Sequence, residues 1–137
     1  MAEDEVLAKV VKNYAADAVR MAQAKFKIAL DGSEESIAQV EQILDKIHKA
    51  STVKPVTDEV LGIFAKTFGS YIGEVFRKHH GGEWYMAEVE GEQYPGIKDE
   101  KRDFTFWPWG KAYNRIRDGQ AESVAAYYKV SVKVKGD

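Results

Sequence analysis

His79, His80 and Glu83 form one cluster in this sequence whose residue types suit a metal ion. Imidazole and carboxylate are zinc ligands, and a metal-assisted hydrolase would need such a set. The spacing argues against it. His-x-x-x-His on one helical face brings two nitrogens together, whereas adjacent histidines point about 100° apart. His79 falls on an apolar helical arc, so its ring is expected to be buried and hydrogen-bonded. His80 is expected to sit as a cation at the negative end of the helix dipole. The expectation is therefore no metal, with this trio as the alternative.

A second candidate is Glu74, which falls outside the apolar arc and near Ser70 and Lys78. It suits an exposed i,i+4 pair with Lys78, worth a few tenths of a kcal/mol. It also suits a carboxylate that accepts a hydrogen bond from a ligand or from the Trp84 indole.

The third candidate is the aromatic segment, in which eight of the thirty residues from Trp84 to Tyr113 are aromatic. Tryptophan and tyrosine beside arginine are residue types favoured at protein interfaces. Lys111, Arg115 and Arg117 among aromatics would also suit stacking on single-stranded nucleic acid. Glu88, Glu90, Glu92, Asp99, Glu100 and Asp103 surround the same region and would repel phosphate. The reading is a protein-binding surface at Trp84, Trp107, Trp109 and Arg115, with Glu74 beside it and an acidic rim suited to a basic protein partner. No nucleic acid partner is expected. No glycine-rich phosphate loop, dinucleotide fingerprint, G-x-S-x-G or H-E-x-x-H is present, so no catalytic residue and no cofactor are assigned.

These residues must be positioned by a mostly helical frame. Val6, Leu7, Val10, Val11, Tyr14, Ala18, Met21 and Ala22 recur at helical steps, predicting one long helix from about Asp4 to Leu30, closed at Asp31-Gly32. Ser33 should cap a second helix with the stripe Ile37, Val40, Ile43, Leu44 and Ile47, broken by Pro55. Thr57 should cap a third, ending at Gly81-Gly82, with Leu61, Phe64, Phe68, Tyr71, Ile72, Val75 and Phe76 on its apolar arc. Gly62, Gly69 and Gly73 lie at one edge of that arc, opposite an alanine row (Ala8, Ala15, Ala22, Ala29) on the first helix. Two such rows would let two helix backbones approach closely. Trp84–Glu90 alternates like a strand, and Gly91-Glu92 reads as a turn. Tyr94–Ile97 reads as a short edge strand because of Pro95, and Asp103–Trp107 as a further strand. Helices are expected at Trp109–Arg117 and Ala121–Tyr128, and a last strand at Val130–Val134. The sum is an α+β fold: three N-terminal helices packed on a small antiparallel sheet, with short C-terminal helices, in a single domain over residues 1–137.

Composition agrees with a globular protein. The chain has 137 residues, 45% hydrophobic and 31% charged, with net charge −2 and no cysteine. That excludes disulfides, thiolate metal sites and cysteine nucleophiles, and it fits a reducing cytoplasm. The acidic start M-A-E-D-E does not read as a secretory signal, and no apolar run approaches a membrane span.

The pieces D-G-S-E-E-S-I-A-Q-V-E-Q-I-L, Y-I-G-E-V, G-G-E-W, F-W-P-W and D-G-Q-A-E-S-V-A-A-Y-Y occur in this order. In this they resemble a family of small bacterial cytosolic domains with no established catalytic residues, some encoded near toxin or secretion systems. The resemblance implies a stand-alone, non-catalytic protein-binding module, such as an immunity or accessory protein. A small-ligand-binding domain is the other alternative.

Overall fold

The computed structural model describes residues 4–99 and 104–136. The first helix, α1 (Glu5–Met21), starts where the Asp4 carboxylate accepts the Leu7 N–H at 3.0 Å. It does not run on to Leu30. One π-helical turn (Ala22–Phe26) follows, and Lys27 ends it in the left-handed region at φ 60°. The early stop lets the chain double back. Leu30 enters the core and Ala29, placed on the alanine row, is exposed. Gly32 does take a positive φ of 81°, but in the turn beyond the helix.

Ser33 accepts the Ser36 N–H at 3.2 Å and opens α2 (Ser36–Val53), whose five expected stripe residues are all buried. Thr57 accepts the Val60 N–H and opens α3 (Asp58–His80), with Asp58 and Glu59 in the first turn. Both caps satisfy amides that a helix start leaves unpaired. Gly81, at φ 84°, ends α3.

β1 (Glu83–Val89) and β2 (Glu92–Asp99) form a hairpin in which Val89 pairs with Glu92. The two loop residues, Glu90 and Gly91, have φ of 52° and 83°. Two positive φ values in a two-residue loop match the right-handed twist of the strands. β3 (Phe104–Phe106) pairs with β2, so the sheet order is β1-β2-β3 and β2 is central, not an edge. Pro95 is tolerated there because β3 reaches only Ile97 to Asp99. At Pro95 itself the strand has a partner on one side only, so the missing N–H costs no ladder bond.

α4 (Pro108–Asp118) ends at Gly119, and α5 (Val124–Gly136) follows a short 3-10 turn. The expected strand at Val130–Val134 is therefore helical. Val124, Tyr128 and Ser131 are all buried at four- and three-residue steps, and that helical face outweighs the β-branched alternation.

α3 is central, with α1 and α4 packed against it. Its glycines do not face the alanine row of α1 as expected: Gly69 lets the first turn of α4 approach, and Gly73 makes room for a ring of β1. A Cβ on Gly69 would lie 2.8 Å from the Trp109 Cα and 3.0 Å from the Pro108 carbonyl. A Cβ on Gly73 would collide with the Trp84 ring. The glycines thus seat the aromatic segment. The sheet covers the same helix, with Phe106 stacked on Phe76 at 4.4 Å. Among the described residues no helix is long and apolar enough to cross a membrane.

Candidate functional site

The three tryptophans part company in the folded chain. Trp84 is wholly buried over Gly73, and its indole N–H donates to Glu74 at 3.0 Å. Glu74 also pairs with Arg77 at 3.5 Å, in place of the expected Lys78. The Glu74 carboxylate therefore anchors the sheet to α3 through the indole.

Arg115 is 1% exposed and cannot touch a partner. Its guanidinium bonds Glu41, and its Nη2 donates to Asp45 at 2.8 Å. Glu41 also accepts the Ser123 hydroxyl at 2.9 Å and the Ala125 N–H at 3.0 Å, so one carboxylate joins α2, α4 and the start of α5. Partial burial pushes the Glu41 carboxyl up, but the bonds from Ala125, Arg115 and Ser123 outweigh it and hold the group below its ordinary range. Trp84 and Arg115 thus leave the expected binding surface and become part of its support.

The histidine cluster also disperses. His79 is exposed, not buried, and its Nε2 lies 3.2 Å from the Gly32 carbonyl oxygen. His80 does stand at the C-terminus of α3, and it has a side-chain partner there. Its Nε2 is 2.6 Å from Glu34, which also accepts the Tyr128 hydroxyl at 2.6 Å. Burial raises Glu34, but the Tyr128 and His80 bonds prevail and lower it. Burial and the bond to Glu34 push the Tyr128 hydroxyl well up. Glu83 is exposed at the start of β1. Among the described residues no group of three His, Cys, Asp or Glu is placed to hold a metal ion.

Trp107 and Trp109, both half-buried, flank Pro108 at the start of α4. The Trp107 N–H donates to the Tyr127 hydroxyl at 2.9 Å, which ties the strand exit to α5. Trp109 lies on Gly69, donates its indole N–H to Ser70 at 2.8 Å, and meets Tyr14 edge-on at 6.0 Å. The Trp109 ring is thereby fixed on α3, whereas the Trp107 bond fixes its main chain. The two rings form the floor of a groove of about 830 Å³. Tyr94 and Pro95 of β2 close one side, Tyr113 and Asn114 of α4 and Tyr127 of α5 another, and Gly62 and Ala65 of α3 a third. A Cβ on Gly62 would meet nothing within 4 Å, so this glycine widens the opening.

Gly110, Lys66, Lys111 and Arg117 complete the lining, and no carboxylate is among the described lining residues. Each cation stands near an aromatic ring: Lys66 at 5.9 Å from Trp109, Lys111 at 5.4 Å from Tyr127 and Arg117 at 5.4 Å from Tyr113. None of the described residues of the expected acidic rim lines the groove, but Glu92 bonds one of its walls. Glu88, Glu90 and Glu92 are exposed around the hairpin tip, where Glu92 accepts the Tyr94 hydroxyl at 2.8 Å. Asp99 is half-buried at the far end of β2, while Glu100 and Asp103 lie outside the described residues. Sequence reasoning did not single out Tyr94, Pro95, Tyr113, Tyr127 or Lys66. The W-P-W triplet marks the place, but these walls come from four separate elements.

Neither a protein-family model nor a curated protein matches the chain. Among solved structures it is similar to a protein from Bacteroides thetaiotaomicron VPI-5482, determined at 1.50 Å. The TM-score is 0.66 and the identity 16%, over 91% of this chain and 43% of that one. The chain spans less than half the length of that protein. At this identity the likeness speaks for the fold alone: a distant sequence adopts the same α+β arrangement.

Proposed function

We propose that this chain is a non-catalytic protein-binding module that holds an extended segment of its partner in the Trp107–Trp109 groove. One observation carries the reading: an aromatic groove runs beside the stretch of β2 that β3 leaves unpaired, exposed from Glu92 to Tyr94 and buried at Pro95 and Gly96. β3 pairs only with Ile97–Asp99, so among the described residues β2 from Glu92 to Gly96 has a strand on one side only. Tyr94 and Pro95 of that stretch are also groove walls. An extended peptide can use both features, with main-chain bonds to the edge and side chains among the rings. Pro95 withholds one N–H, which limits indiscriminate strand pairing. The aromatic rings supply contact area at small entropy cost. A bacterial cytosolic setting, as an immunity or accessory protein, follows from the family resemblance.

The second reading is a small-ligand module. The groove volume, about 830 Å³, lies within the range of small-molecule sites, and its lining is largely aromatic. Photocrosslinking separates the two. A benzoylphenylalanine at Tyr94, which is 44% exposed, should label one contiguous protein segment in the native host. Trp107→Ala should abolish the labelling. A small-molecule adduct in place of a peptide would favour the second reading, and labelling unaffected by Trp107→Ala would refute both.

A further inference from the structure

We infer that the segment taken by this groove is acidic, with carboxylates flanking an aromatic or proline anchor; this rests on the peptide-binding reading above. The lining holds three cations and no described carboxylate, although the chain as a whole is net negative at −2. The lining side chains themselves carry only positive charge, while four carboxylates stand just outside it: Asp58 on Tyr113, Glu92 on Tyr94, Glu122 on Lys111 and Asp118 on Arg117. Lys66 is exposed and has no carboxylate partner among the described residues; its ammonium is near the Trp109 ring. Lys111 and Arg117 do have partners, Glu122 at 2.9 Å and Asp118 at 2.8 Å, neither of which lines the groove. The Arg117–Asp118 pair is bidentate, at 3.0 and 2.8 Å, but about half exposed on both sides, so water and salt screen it and the guanidinium keeps donors free for a second carboxylate. The α4 N-terminus has no side-chain cap and adds the same sign beside Trp107 and Trp109.

The opposite sign is disfavoured in the same place. A lysine or arginine on the ligand would meet Lys66, Lys111 and Arg117 together, and like charges brought together cost affinity. The carboxylates of the hairpin tip, Glu88, Glu90 and Glu92, would repel an acidic segment that ran past Tyr94. The acidic residues of the ligand therefore belong at the α3 and α4 walls, and its apolar anchor between Trp107 and Tyr94. This reverses the basic partner expected from the sequence.

The test is a phage-displayed library of random linear peptides, panned on the whole protein and counter-selected on Trp107→Ala. Enriched peptides should carry Asp or Glu beside an aromatic or proline residue. Measured by fluorescence anisotropy, each should lose about tenfold in affinity when its acids become amides, and about as much against Lys66→Glu or Arg117→Glu. Binding should also weaken as salt rises. Tyr94→Ala, at an exposed position, serves as a second groove variant if Trp107→Ala does not fold. Peptides that need Trp107 or Tyr94 but are basic, or are indifferent to amide replacement, overturn the acidic segment and leave the groove reading standing. If no enriched peptide depends on either residue, both are overturned.

Discussion

Trp84 and Trp107 belong to one aromatic segment and have opposite duties. Trp84 is sealed against Gly73 with its indole N–H on Glu74. Trp107 is half-exposed on the groove floor, its main chain held by a bond to Tyr127. The same contrast recurs two residues apart in α4. Arg115 is interior and bound to Glu41 and Asp45, whereas the side chain of Arg117 is 53% exposed and stands over Tyr113 at the groove. One set of aromatic and cationic residues builds the frame, and a second set, on the same elements, is left for contact. The difference lies in what α2 and α3 place opposite each residue.

The contrast is most strongly tested by Trp84→Ala. It removes a large buried ring and leaves Glu74 without its indole donor, so a loss of about 3–5 kcal/mol is expected in urea unfolding. A loss below about 1 kcal/mol would mean that Trp84 is not part of the frame. Arg115→Ala should be comparably severe, about 3–5 kcal/mol, because Glu41 and Asp45 lose a buried partner. Arg117→Ala should stay within about 1 kcal/mol. Equal effects from the two arginines would erase the distinction. Gly69→Leu comes next. Its side chain meets main-chain atoms of Pro108 and Trp109, which cannot rotate away, and a cost of about 1–3 kcal/mol is expected by thermal melting. Because the same change displaces Trp109, it should also weaken groove binding.

The smallest effect concerns pH. The folded-state Glu41 carboxyl is held below its ordinary value of 4.5, so the unfolded chain takes up a proton first as pH falls. The stability contributed by Glu41 is full above about 4.5 and declines as pH falls through the folded value. Glu41→Gln should be less stable than the parent at neutral pH, with a shallower decline between about pH 5 and pH 3. An unchanged acid limb would show that the network does not depend on the charge of Glu41.

The sequence by itself determined what is local. The caps at Ser33 and Thr57, the glycine stop at Gly81, the stripe of α2 and the Glu90–Gly91 hairpin region are settled by neighbours a few residues away. Together with the strand and helix order they already specify an α+β fold. Only the tertiary structure decided what each segment faces. Gly69 and Gly73 advertise close approach on α3, but a periodicity cannot say that tryptophans would fill the gap. The burial of Arg115 depends on carboxylates 70 and 74 residues earlier. The Val130–Val134 pattern suits a strand, yet the buried face through Tyr128 and Ser131 makes it helix. The groove was illegible for the same reason. Its lining is drawn from α3, β2, α4 and α5, and its positive character appears only once Lys66 is brought beside Lys111 and Arg117. Exposure and local charge are sums over segments distant in sequence, and packing sets those sums.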